Sequence, residues 1–204
     1  MHTNMDPNVR RRGSGAGLRG LAYLFGVLSI ILMIIWLLHF RGSIEYDSQN
    51  PAPMMAYRTV PAEMRVKKII HMLLHIIAIV MGIIGLCAVF RYHNMINLGD
   101  MYSLHSWIGL TTFILYCLQW LVGFLVFMVG RSSVTKERMI GWHMVAGRAL
   151  LFMSICAALT GLMEKAQFLG LKYQHEARLV NFLGLSILLF GVFVDLSIVY
   201  GRYI

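Results

Sequence analysis

The chain has 204 residues, 58% of them hydrophobic and only 13% charged, with a mean hydropathy of +0.69. Soluble domains average roughly 45–50% apolar and about 25% charged residues, so one water-soluble core cannot hide this composition and the chain reads as an integral, multi-pass membrane protein. The net charge of +9 does not imply nucleic acid, because the basic residues flank apolar runs, where the positive-inside rule places them. The expected surrounding is a lipid bilayer.

A span needs about 20 mainly apolar residues to cross about 30 Å of hydrocarbon. Residues 1–19 are polar and carry Arg10, Arg11, Arg12 and Arg19; they read as a disordered basic tail. The first span is predicted over 20–40. Its apolar run exceeds the 7–15 residues or so of a signal-peptide core and ends in His39, Phe40 and Arg41, so it is read as retained. A polar loop over 41–68 follows, with three of the four prolines and a basic end at Arg65, Lys67 and Lys68.

Four further spans are predicted over 69–90, 103–129, 140–163 and 179–200, which makes 20–204 one all-α transmembrane bundle. Their loops carry His93, Lys136 and His175, and Glu164 and Lys165 close the fourth span. Cys87, Cys117 and Cys156 lie inside apolar runs without a metal-ligand or redox spacing. Gly82, Gly85, Gly109, Gly123, Gly147, Gly161 and Gly184 suit close helix packing in lipid.

The histidines carry the chemistry. Successive spans alternate in direction, so the second and fourth run parallel and the third opposes them. His71 and His143 each lie about three residues inside the start of a parallel span, roughly 5 Å below one face at 1.5 Å per residue. His105 opens the opposing span at a similar depth below the other face. Ionisable groups inside spans are functional candidates by default, and a depth-matched imidazole pair can fill both axial positions of a haem. Arg58, Arg65, Lys67, Lys68 and Lys136 gather on the His71/His143 face, where they suit propionates or an acidic small substrate. His75, one turn below His71, lacks the intervening Glu of a zinc-protease helix and reads as a packing residue or a partner of the ligating ring. His39 reads as interfacial, and His2 and His175 as solvated.

Several stretches together resemble the cytochrome b561 family of transmembrane ascorbate-dependent oxidoreductases. They are MAYRTV (55–60), KKIIH (67–71), FRYHN (90–94), MYSLHSWIGL (101–110), LQWLVGF (118–124), WHMVAG (142–147), GLMEK (161–165) and LVNFLGL (179–185). His105 follows His71 by 34 residues and precedes His143 by 38. The resemblance implies that His71 and His143 ligate a b haem on the cytosolic side and that His105 ligates a second near the opposite face. It implies that Arg58 touches a haem propionate, and that Tyr102, Ser103 and Glu164 border the far haem. It further implies ascorbate at Lys68, Arg65 and Lys136, with Lys68 catalytic. His93 would act at the far-side acceptor, monodehydroascorbate or a ferric chelate. A homodimer is implied too, in an endomembrane vesicle, lysosomal or plasma membrane.

One departure stands out. Family members have six spans, and the second supplies the histidine that pairs with His105. Here DSQNPAP (47–53) runs straight into MMAYRTV, so five spans are predicted, with one intact bis-His site and a compromised site at His105. The basic tail and the 58–68 loop both favour the cytosol, yet one crossing separates them. Either the first span is interfacial or reversed, or the tail crosses against its charge. The implied activity is transmembrane electron transfer from ascorbate. The alternative is a shortened, electron-transfer-deficient isoform acting as a non-catalytic partner of full-length homologues.

Overall fold

The computed structural model describes residues 7–41, 64–130, 132–172 and 174–200; Arg58 and most of the 41–68 loop lie outside them. Five helices account for nearly all of this. They are α1 (Pro7–Ile35), α2 (Met64–Met95), α3 (Leu104–Gly123), α4 (Ser133–Phe168) and α5 (His175–Tyr200). Each contains a stretch long and apolar enough to cross a bilayer. Helices are the expected answer, because lipid offers no partner to a free N–H or C=O.

The helices outrun the predicted spans at several ends. Residues assigned to a disordered tail join α1, which begins at Pro7. Proline suits the first helical position, where its fixed φ is helical and its missing N–H is no loss. Two helices end on wider, π-helical turns: Trp36–Arg41 after α1 and Phe124–Val129 after α3. The second closes with Gly130 N–H donating to Leu125 O at 2.8 Å.

The chain divides into two compact units, Met1–Ile44 with Leu162–Ile204, and Glu45–Gly161. In the first, α1 lies against α5. Trp36 Nε1 donates to Glu176 at 2.8 Å, Ser29 to Ser186 at 2.9 Å, and Phe25 stacks on Phe193 with centroids 5.5 Å apart. As one residue number falls the other rises, so the two helices are antiparallel. Trp36, Leu162, Val180 and Leu183 form the buried core, with Leu32, Met33, Leu179 and Ile187 around it.

That direction bears on the topology. In five strictly alternating crossings the first and last helices would be parallel. The observed pair has the relation of first and last helices in a six-crossing bundle. The α1–α5 packing therefore departs from five strictly alternating crossings.

In the second unit α3 packs antiparallel to both neighbours. His75 meets Tyr116 and Trp120 Nε1 donates to Met72 O on one side. On the other, Gln119 meets His143 and His105 meets Ala157. Gly82 faces the Phe113 ring so closely that a Cβ would overlap it, whereas nothing lies within 4 Å of a Cβ at Gly85 or Gly109. The expectation of close packing therefore holds at Gly82 and fails at those two, which face open space.

Candidate functional site

The alternation of α2, α3 and α4 sets where the histidines lie. His71 comes two turns into α2 and His143 between two and three turns into the parallel α4. Their ring centroids are 6.4 Å apart with planes at 71°. Two imidazoles on one metal, each with a bond of about 2.0–2.1 Å and roughly 1.1 Å from nitrogen to ring centre, have centroids about 6.3 Å apart. The spacing therefore matches two rings sharing one metal. Their steep mutual angle excludes a face-to-face stack, which would turn the ring nitrogens out of the gap.

Four groups shape this pair. His75 packs its ring edge-on against His71 at 4.3 Å and hydrogen-bonds through Nδ1 to the Tyr116 hydroxyl; it is a partner of the candidate ligand. Phe127, on the π-helical turn after α3, lies edge-on to His143 at 5.2 Å. Gly123 clears the other side, since a Cβ there would sit 2.9 Å from His143 Cε1. Gln119 reaches across from α3, donating to the His143 carbonyl at 2.8 Å and lying 3.0 Å from its Nδ1.

His105 stands at the other end of α3. It and Gln119 are 14 residues apart, about 21 Å along a helix rising 1.5 Å per residue. Its Nδ1 lies 2.9 Å from the Ala157 carbonyl. That oxygen can only accept, so Nδ1 carries a proton, and in the neutral ring Nε2 keeps its lone pair. Gly161 makes room for this ring as Gly123 does for His143: a Cβ there would meet His105 Cε1 at 2.7 Å. Among the described residues, the histidine rings in mutual contact are His71 with His75 and His71 with His143.

The remaining candidates fall into place by end. Arg65 and Lys68 lie on the first turns of α2 and Lys136 on the first turn of α4, at the His71/His143 end. Arg65 is exposed and the two lysines are half-buried. At the His105 end, Ser103 caps α3 by accepting from the Ser106 N–H at 3.2 Å. Tyr102 is 52% exposed. His93 Nδ1 pairs with Asp100 at 2.8 Å. The turn that carries Asp100 takes Asn97 and Met101 into positive φ, 53° and 55°, and Trp107 Nε1 donates to the Met101 carbonyl at 2.9 Å. Glu164 lies on the last turns of α4, in the α1–α5 unit.

Gln119, Tyr116 and the roles of Gly123 and Gly161 were not singled out from the sequence. Gln119 carried a signal: it is an amide inside an apolar run, and such a group is buried at a cost unless hydrogen-bonded. The two glycines looked like every other small residue in the spans.

A metal held only by protein side chains is not favoured. Among the described residues no three His, Cys, Asp or Glu side chains gather around one point. A porphyrin brings its own equatorial nitrogens and asks for two axial ligands, which His71 and His143 are spaced to give.

Comparison with known proteins narrows the chemistry. A family model described as eukaryotic cytochrome b561 matches residues 50–169. Transmembrane ascorbate ferrireductase 1 of Arabidopsis thaliana is 35% identical over 202 residues, covering 87% of this chain and 84% of that protein. Probable ascorbate-specific transmembrane electron transporter 1 of Oryza sativa subsp. japonica is 33% identical over 205 residues, 88% of each chain. Transmembrane ascorbate-dependent reductase CYB561 of Mus musculus is 37% identical over 194 residues, covering 84% of this chain and 78% of that protein.

Proposed function

Because this chain belongs to the cytochrome b561 family, we propose that it is a transmembrane oxidoreductase that takes electrons from ascorbate and passes them towards the opposite face. The observation that carries the reading is the 6.4 Å spacing of the His71 and His143 rings. Those two residues would hold a b haem, which when bound supplies a one-electron centre just inside the membrane.

The chain's own residues make the surrounding surface suit an anionic reductant. The α2 and α4 N-termini turn their positive dipole ends towards the same face. Lys68 and Lys136 add point charges there and Arg65 a planar fork. Ascorbate binds as a monoanion; giving up one electron, it also releases its remaining enediol proton to water. Arg58, outside the described residues, would join this face as a propionate contact.

At the far end, His105 offers a ready Nε2 lone pair. Its expected partner in a six-span member has no counterpart in this sequence, so that site is read as a half-site. The His93–Asp100 pair would stand at the acceptor, monodehydroascorbate or a ferric chelate, with Tyr102, Ser103 and Glu164 as the haem-bordering groups. A homodimer remains part of this proposal. No observation favours the alternative of a non-catalytic partner.

The test uses purified protein in vesicles loaded with ascorbate. Reduction of external ferricyanide, lost in His71→Ala and in His143→Ala, supports the reading. Absence of a bis-histidine b-haem spectrum in the wild-type protein overturns it.

A further inference from the structure

We infer that Gln119 is the positioning residue of the His143 imidazole: its amide decides which ring nitrogen carries the proton, and so whether Nε2 is free to meet a metal. The inference rests on the reading that His71 and His143 share an iron.

The geometry assigns the amide ends. Gln119 places one terminal atom 2.8 Å from the His143 carbonyl oxygen. An amide oxygen there would set two acceptors against each other, so that atom is the nitrogen. The same nitrogen is 3.0 Å from His143 Nδ1. An NH2 group can only donate, so in this arrangement Nδ1 accepts and the ring proton sits on Nε2. That is the opposite tautomer from His105, where a carbonyl oxygen makes Nδ1 the protonated nitrogen.

A neutral imidazole that ligates through Nε2 must carry its proton on Nδ1, and the hydrogen bond at the other nitrogen selects that form. Gln119 is built to serve both states. With its nitrogen towards the ring, it holds His143 in the form that does not bind iron. To serve the ligating form the amide must turn over and swing off the His143 carbonyl, so that Oε1 accepts from Nδ1–H and Nε2 is released.

Among the described residues, the other neighbours of the ring do not perform this task. Phe127 offers an aromatic edge and Gly123 only space. Gln119 sits inside an apolar span, where an amide is tolerated because it is satisfied by its neighbours. A residue kept only for packing would have no need of two polar contacts to one histidine.

The experiment compares purified haem-loaded wild type with Gln119→Leu and Gln119→Glu. The readouts are the rate of haem loss to apomyoglobin, the midpoint potential and the low-spin ferric electron paramagnetic resonance line. Leucine keeps the bulk and removes the acceptor. Groups that orient metal-bound histidines typically cost 10–100-fold in affinity when removed, so haem loss is expected to quicken by about that factor and the midpoint to rise. Glutamate can only accept from Nδ1–H once ionised, which pushes electron density to the ring; the midpoint is expected to fall while haem stays bound.

If leucine leaves the loss rate, midpoint and resonance line unchanged, the inference fails. If glutamate and leucine shift the midpoint the same way, Gln119 acts by packing and the inference also fails. A wild type with no bis-histidine spectrum overturns the proposed site itself, a result visible before any variant is compared.

Discussion

Gly123→Ala puts the shared-metal geometry under the smallest available strain. A methyl group there would lie 2.9 Å from His143 Cε1 and 3.4 Å from Nδ1, against an ordinary carbon–carbon separation of roughly 3.5–4.0 Å. The ring must therefore retreat by on the order of half an ångström to an ångström. It cannot do so freely, because Gln119 holds both its Nδ1 and its carbonyl. Either that grip is lost, at about 0.5–1.5 kcal/mol, or the core is overpacked, at about 1–3 kcal/mol. Both outcomes move a candidate ligand off the 6.4 Å spacing. Gly85→Ala and Gly109→Ala are the controls, since a Cβ at either meets nothing within 4 Å. They are expected to leave the haem spectrum unaltered. Haem per polypeptide, measured on detergent-purified protein, should drop in Gly123→Ala alone. Full haem content and an unshifted α band in that variant would refute the reasoning.

Other outcomes follow from the same geometry. Trp36→Phe leaves the buried Glu176 without its indole donor and is expected to cost about 1–3 kcal/mol, read as a lower thermal midpoint in detergent with the haem spectrum unchanged. Tyr116→Phe removes the hydroxyl bonded to His75; haem should remain bound, with a shifted midpoint potential. Because α1 and α5 are antiparallel, tags on the two chain termini should prove accessible from one side of sealed vesicles, and accessibility from opposite sides would refute the packing. Haem analysis should give a haem-to-polypeptide ratio nearer one than two, with a ratio of two contradicting the half-site at His105.

The sequence revealed the helices because a bilayer leaves few alternatives: about 20 apolar residues make a span whatever they pack against. It also revealed the histidine depths, since parity of crossing and a fixed rise per residue determine which rings share a face. Three things were not legible. The direction of α1 depends on Phe25, Ser29 and Trp36 finding Phe193, Ser186 and Glu176, contacts 140 residues or more apart. The tautomers of His105 and His143 depend on Ala157 O and Gln119, neither of which has a fixed sequence offset from its histidine. The division among glycines depends on what stands opposite each one. Periodicity shows a small residue but not its neighbour.

These three unreadable features bear on the same question, what a missing span removes. The groups that shape His105 are Ala157 and Gly161 on α4, and α3 and α4 pack together without help from any second span. If His105 is one half of a far ligand pair, as proposed, its own surroundings do not depend on the other half. Among the described residues, the groups that shape the His71/His143 pair lie on α2, α3 with its closing turn, and α4. A defect confined in this way has a directional consequence. On the proposed reading, electrons would still enter at the basic end, where the candidate ligands His71 and His143 lie near Lys68 and Lys136. They must then cover the roughly 21 Å between the Gln119 and His105 levels towards a site with one imidazole. Entry and exit should thus come apart experimentally: ascorbate reduces the near site at a rate set by Lys68 and Lys136, while delivery to the far face becomes the slow step.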